Sequence, residues 1–315
     1  MLVMGEVHTG LLQNSGEISE STCRQVLGLM AGETVRVSRR PIVHALSPER
    51  LTGVDCALPT ASRSRVRGVG TVVSRCAVTG GRVAQGSSYA RVVRSEADRR
   101  LPWSHYLARP GVVEVLGKVK AADLAEGFTG DTVPGRPDGA CLDLGAVSGR
   151  FLDLVQQSPL LDRRAPFKIP RTNLRWVAET GEPSIRFTLH AEQERTLRLT
   201  HPGPFTPAVV DLCEDLATHD WLLTSLLVIV ERARIGGTPG AQAVARLAPA
   251  IDHLMHLWMP AARVEEWMTP FWESLERRPG FTRQWRSLVD RVRDQVAMNT
   301  LALLSATAEA GRRSP

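Results

Sequence analysis

Apolar and polar positions change period once along the chain, and that change organises the rest. Up to about residue 200 the period is two. Val35, Val37, Ile42 and Val43 form a short apolar alternation broken by Pro41. Residues 65–78 are rich in Val, Thr and Gly, Thr79-Gly80-Gly81 supplies a turn, and 82–93 returns. Two such runs joined through a glycine pair predict a hairpin. A second set begins at Leu174, Trp176 and Ala178, turns at Gly181-Glu182-Pro183, continues through Ile185, Phe187 and Leu189, and returns at Leu197 and Leu199. Arg175, Arg186 and Arg198 occupy the alternate positions, which predicts a half-buried antiparallel meander. The opening residues read as a first strand, and 121–126 as a short helix. Loops are expected at 127–139 and 158–173, where Pro and Gly concentrate.

The segment 201–206, His-Pro-Gly-Pro-Phe-Thr, is the expected linker. Beyond it the period is helical. Thr206 with Pro207 is a helix-start signal. Val209, Leu212, Cys213, Leu216, Leu223, Leu227 and Val230 trace one face of a long helix ended by Gly236-Gly237. A second helix spans 241–259 with a kink at Pro249 and a buried face of Ile251, Leu254, Met255 and Trp258. Thr269-Pro270 starts a short third helix that stops near Pro279-Gly280. A last helix spans 281–310, with the stripe Trp285, Val289, Val292, Val296, Asn299 and Leu303. The fold class expected is therefore α+β: an antiparallel β-rich region over 1–200 and an all-helical region over 205–311. The two parts either pack as one unit or hinge at 201–206.

Length and composition narrow the class without naming an activity. With 315 residues, 43% hydrophobic and 23% charged, the chain has ample material for a core. The longest apolar run, 221–230, is half of what a membrane span needs. No basic stretch followed by a long apolar run opens the chain. Five cysteines at wide spacings, without CxxC, fit reduced thiols and no zinc site. A soluble, cytoplasmic protein is the expectation.

Charge is where the sequence is most uneven. Net charge is +6, and of 39 basic residues only Lys118, Lys120 and Lys168 are lysine, an imbalance that a GC-rich genome accounts for. The segment 34–100 holds thirteen arginines against Glu49, Asp55, Glu96 and Asp98, so the rest of the chain is net acidic. Arg63, Arg65 and Arg67 alternate and would share a face in an extended stretch, with Arg91 and Arg94 on the returning strand. Such a row of planar forks suits an acidic protein partner or phosphates. Tyr89 is the only aromatic residue of that segment, so a stacking platform for single strands is poorly supported.

Catalytic signatures are missing. GxxxxGK[ST], GxSxG and HExxH do not occur, and Gly68-Val69-Gly70 lacks the third glycine of a dinucleotide turn, so close strand contact explains it better. The one metal-like set is Asp215 and His219, four apart on the first long helix, with His253 and His256, three apart on the second. A helical wheel turns His253 and His256 away from their buried face, so no metal is expected there and no cofactor is implied. In the last helix, Trp285, Val292 and Asn299 form a candidate docking stripe, with Asn299 as the polar residue that would set register against a partner helix.

The opening MLVMGEVHTGLLQNS, LTGVDCALP at 51–59, SRVRGVGTVVSR at 64–75, and the later runs DLCEDLATHDWLL and RRPGFTRQW carry a resemblance over nearly the whole chain. They resemble an actinomycete (Streptomyces-type) family. Its members are encoded beside a variant P-loop protein of the MinD/ParA type and a methyltransferase-like protein. The family has no established activity, so the resemblance transfers no catalytic residues. It implies one subunit of a multi-protein cytosolic system, with the P-loop protein as a partner. Three functions are therefore expected, in this order: a non-enzymatic interaction or scaffold subunit, a nucleic-acid binder using residues 34–100, and an enzyme with a metal site among the helices.

Overall fold

A computed structural model describes residues 1–313 except 31, 98, 131–140, 192, 236 and 238, and side chains as far as residue 306. The loop expected at 127–139 lies mostly outside the described residues. In chain order the first elements are β1 (Leu2–Leu11), α1 (Glu20–Leu27), β2 (Arg36–Ser38), β3 (His44–Leu46), β4 (Arg50–Leu58), β5 (Val66–Thr79) and β6 (Val83–Arg94). Then come α2 (Trp103–Leu107), β7 (Val112–Leu116), α3 (Ala121–Thr129), α4 (Leu144–Gln156), β8 (Thr172–Thr180), β9 (Ser184–Leu189) and β10 (Glu194–His201). The helical part is α5 (Pro207–Ala233), α6 (Gly240–His253), α7 (Thr269–Arg277) and α8 (Phe281–Arg313), with short 3-10 turns between α6 and α7. The protein is α+β.

The ten strands among the described residues form one sheet, in the order β2-β3-β5-β7-β6-β1-β8-β10-β9, with β4 also paired to β5. The β5–β6 hairpin forms as its glycine turn predicts. Gly80 and Gly81 both take positive φ, and the Arg82 N–H donates to the Thr79 carbonyl at 3.1 Å. Beyond Tyr89 the two strands part, and β7 enters between them, antiparallel to β5 and parallel to β6. Gly70 makes that entry feasible: a Cβ there would stand 2.0 Å from the Val112 carbonyl oxygen.

The sheet is mixed, which corrects the antiparallel expectation at a second place too. The turn at 181–183 does not close a hairpin. Strand β10 lies between β8 and β9, parallel to β8 and antiparallel to β9. The Gly181 N–H donates to the His201 carbonyl, so the connection passes over the end of β10. Alternation records which face a residue occupies, not which strand is its neighbour.

Both faces of the sheet are covered. On one side α4 lies over β1, β5 and β6, with α3 and α1 beside it. Two apolar clusters form there, one around Met4, Val92, Val113, Leu124 and Leu144, the other around Cys23, Leu27, Val78 and Leu152. On the other side α5 lies over β1, β6 and β8, and α6 and α8 pack outside α5. One apolar cluster runs from Val7, Trp176 and Leu197 through α5 to Leu247, Trp272 and Trp285. β1 and much of β5 and β6 are thus buried on both faces and read as near-continuous apolar runs.

Helix α5 is central, not one-faced. Its residues from 208 to 223 are buried all round except Asp211. Its buried acids are matched by arginines of the sheet. Arg75 of β5, 2% exposed, donates from Nε to Glu214 at 2.8 Å and from Nη2 to Asp211 at 2.5 Å. Arg195 of β10 donates from Nε to Asp220 at 2.5 Å. The helix ends at Ala233 with Arg234 in the left-handed region, before the glycines expected to stop it. Helix α6 keeps Pro249 inside but ends at His253, so the wheel breaks there: Leu254 is buried and Ile251 is 40% exposed.

Removing one partner of a buried pair strands a charge, at a cost of about 3–5 kcal/mol. Arg75→Met should lower the unfolding free energy by about that amount in urea titration. Arg75→Met combined with Glu214→Leu should cost markedly less than Arg75→Met alone.

Candidate functional site

The arginines of 34–100 do not make one face. Only Arg67 of the alternating three lies in a strand. Arg63 sits in an exposed turn at φ 57°, and Arg65 precedes β5. Arg67 donates to one Asp55 oxygen at 2.6 Å and Arg100 to the other at 2.9 Å. These two guanidinium groups hold the Asp55 carboxyl below its ordinary range, with the Arg67 hydrogen bond as the main cause. Arg91 and Arg94 are three apart on β6, so they point to opposite faces. Arg75 is core, and Arg82 reaches His253. The excess positive charge is partly met from elsewhere in the chain: Glu20 takes Arg39, Glu33 takes Arg50, and α5 takes Arg75. Arg63, Arg65, Arg91 and Arg94 are exposed and carry no ion pair among the described residues.

The four metal-like residues fall into two separate groups, and among the described residues no three His, Cys, Asp or Glu side chains come together to hold a metal. Asp215 and His219 are both buried and act on the segment after α6. His219 Nδ1 donates to the Asp215 carbonyl at 2.7 Å, and its Nε2 accepts from the Met259 N–H at 3.2 Å. Asp215 Oδ2 accepts from the Ala261 N–H at 2.9 Å. Both ring nitrogens are in use, and Trp258 and Trp272 stand edge-on to the ring. Burial lowers the His219 pKa. His253 and His256 face Arg82 instead, and Arg82 bonds His253. Burial first and the Arg82 cation second lower both pKa values.

The structure assembles a polar group that periodicity did not single out. Glu6 and His8 stand two apart on β1, on the face beneath α4. Their sheet partners Ser88, Asn173 and Arg175 share that face. Asn173 Nδ2 donates to Glu6, Arg175 lies 3.9 Å from it, and His8 Nδ1 bonds the Ser148 hydroxyl at 2.9 Å. Helix α4 comes down closely here: a Cβ at Gly145 would be 2.5 Å from Glu6 Oε1. Burial pushes the Glu6 carboxyl up to about 7, against smaller opposing effects of Asn173 and Arg175. Burial and then Arg171 bring His8 down to about 4. The signal in the sequence is Glu and His at i and i+2 inside the apolar run LVMGEVHTGLL. The group seats α4 on the sheet.

Helix α8 divides into two parts. Trp285 stacks on Trp258 at 4.3 Å between centroids and 7° between planes, and Val292 is 1% exposed, so both face the chain's own core. Asn299, half-buried, meets Gly240 at the start of α6. Beyond residue 296 the helix leaves the core: Met298, Leu301, Leu303 and Leu304 are 56–65% exposed. Among the described residues no helix is long and apolar enough to cross a membrane. No protein-family model, curated protein or solved structure matches the chain.

The Glu6 shift has a signed consequence. Between pH 4.5 and about 7 the folded chain keeps a proton that the unfolded chain releases, so this group's contribution to stability falls as pH rises. The full loss above pH 7 is about 3 kcal/mol. His8 acts with the opposite sign below pH 6.5 and is common to both proteins. Glu6→Gln should therefore gain on wild type from pH 4.5 to 8, by up to about 3 kcal/mol, in denaturant titrations across that range.

Proposed function

We propose that the protein is a non-enzymatic interaction subunit that docks a partner protein through the exposed end of α8. The observation that carries this is the four large apolar side chains at 298, 301, 303 and 304, exposed on a helix whose first half is anchored in the core. Large apolar residues gathered on one exposed helix end mark an interaction surface. A helix presented in this way fits the helix-in-groove mode, in which an apolar face enters a partner's groove. The resemblance to the actinomycete family points to a cytosolic multi-protein system and to the P-loop protein as the partner to test first. Dispersal of the arginines over both sheet faces, the core and two loops favours this reading over nucleic-acid binding, which works best with a continuous basic surface.

A tagged chain recovered from an actinomycete host, with and without nuclease, tests the reading. The P-loop neighbour should co-purify and survive nuclease. The pair Leu301→Asp and Leu304→Asp should reduce its recovery about tenfold or more while leaving the fold intact, because both positions are at least 60% exposed. Loss of every partner on nuclease treatment, with nucleic acid in the untreated sample, would instead assign the activity to the arginine-rich region.

A further inference from the structure

A groove of about 340 Å³ opens where β6 and β7 end beside the start of β1 and α3. Leu2, Val92, Val115 and Leu124 make its floor, and Val93, Val119 and Ala121 its sides. Arg94 is the only charged side chain among the lining residues. Its volume is in the range of small-molecule sites, which are characteristically apolar with a few placed polar groups. Three features of the chain keep it open. Gly117 turns the chain outward at φ 117°, with no heavy atom within 4 Å of where a Cβ would stand. Apart from Met1 and Arg94 the lining is short and aliphatic, with no ring to fill the space. The acid next to Val115, Glu114, points to the other face and is taken by His105, Arg109 and Ser95.

Basic side chains border the groove on the β6–β7 side, while Glu179 of β8 stands opposite Leu2. Arg94 has no ion pair among the described residues. Lys118 and Lys120, two of the three lysines of the chain, are exposed in the segment bordering it. An apolar floor, an unpaired planar fork at the mouth and two nearby ammonium groups complement a molecule with an aliphatic tail and one carboxylate. Carboxylate matches a single guanidinium in bidentate geometry. The absence of aromatic lining removes the stacking surface that a planar ring would use.

We infer that this groove is a binding site for a free medium-chain aliphatic carboxylate, with Arg94 holding the carboxylate and Leu2, Val92, Val115 and Leu124 receiving the chain. The site is separate from the exposed end of α8 and stands whether or not that end docks a partner.

Calorimetric titration of the full chain with decanoate, decanol and acetate tests it. Decanoate should bind at one per chain, with decanol about tenfold weaker and acetate without detectable binding. Arg94→Gln, at an exposed strand end, should bring decanoate to the affinity of decanol and leave decanol unchanged. Val119→Phe, which fills the groove from a half-buried position, should abolish both. Leu301→Asp with Leu304→Asp should change neither, which separates the groove from adsorption on α8. Equal decanoate affinity in Arg94→Gln and wild type, undiminished binding in Val119→Phe, or a stoichiometry well above one would each overturn the assignment.

Discussion

Two buried arginine–carboxylate pairs fix where α5 lies on the sheet, and the rest of the helical part is placed by α5. Arg75 comes from β5 and Arg195 from β10, so the pairs reach the helix from strands on opposite sides of β1. Their partners, Glu214 and Asp220, are six residues apart, about 9 Å along the axis. Apolar contact alone would let the helix slide or rotate at modest cost. Two charge pairs of that spacing admit one position, because any other leaves charges buried without partners. Burial raises the Asp220 pKa to about 6 in spite of Arg195, a measure of how little solvent reaches the contact. The same helix then uses its far side, Asp215 and His219, to capture backbone N–H groups of the segment between α6 and α7.

Sequence patterning recovers much of this frame. The β5–β6 hairpin is legible because its turn needs two residues at positive φ and glycine supplies both. α7 and α8 are legible because their starts and periods are strong. α4 is not, and the reason is physical: Gly145 and Gly149 weaken its helical signal, but Gly145 is what lets it approach Glu6. The single-face reading of α5 failed similarly. Asp215, His219 and Asp220 look like a solvated side until the arginines and backbone groups that satisfy them are in place. The order β8-β10-β9 was beyond reach, since period two is identical for either neighbour.

The arginine excess shows how a compositional signal can exceed its structural content. Thirteen arginines in 34–100 suggested one surface, yet the chain spends them on a core pair, a carboxylate shared by two of them, a histidine contact and separate exposed turns. What survives as localised chemistry is smaller: Arg94 beside an aliphatic groove, and an apolar helix end. Neither follows from charge counting. Each depends on which neighbours tertiary packing removes, and the chain has to be folded before that subtraction can be made.

Helix α8 is continuous over 33 residues, about 50 Å in length, without a proline or glycine before residue 311. Its first half is clamped by the Trp258–Trp285 stack and by α5 and α6. Mechanically it is a cantilever. A load applied at residues 298–304 would be carried as torque into the clamp rather than absorbed at a hinge, and so would act on the orientation of the whole sheet as well as its position.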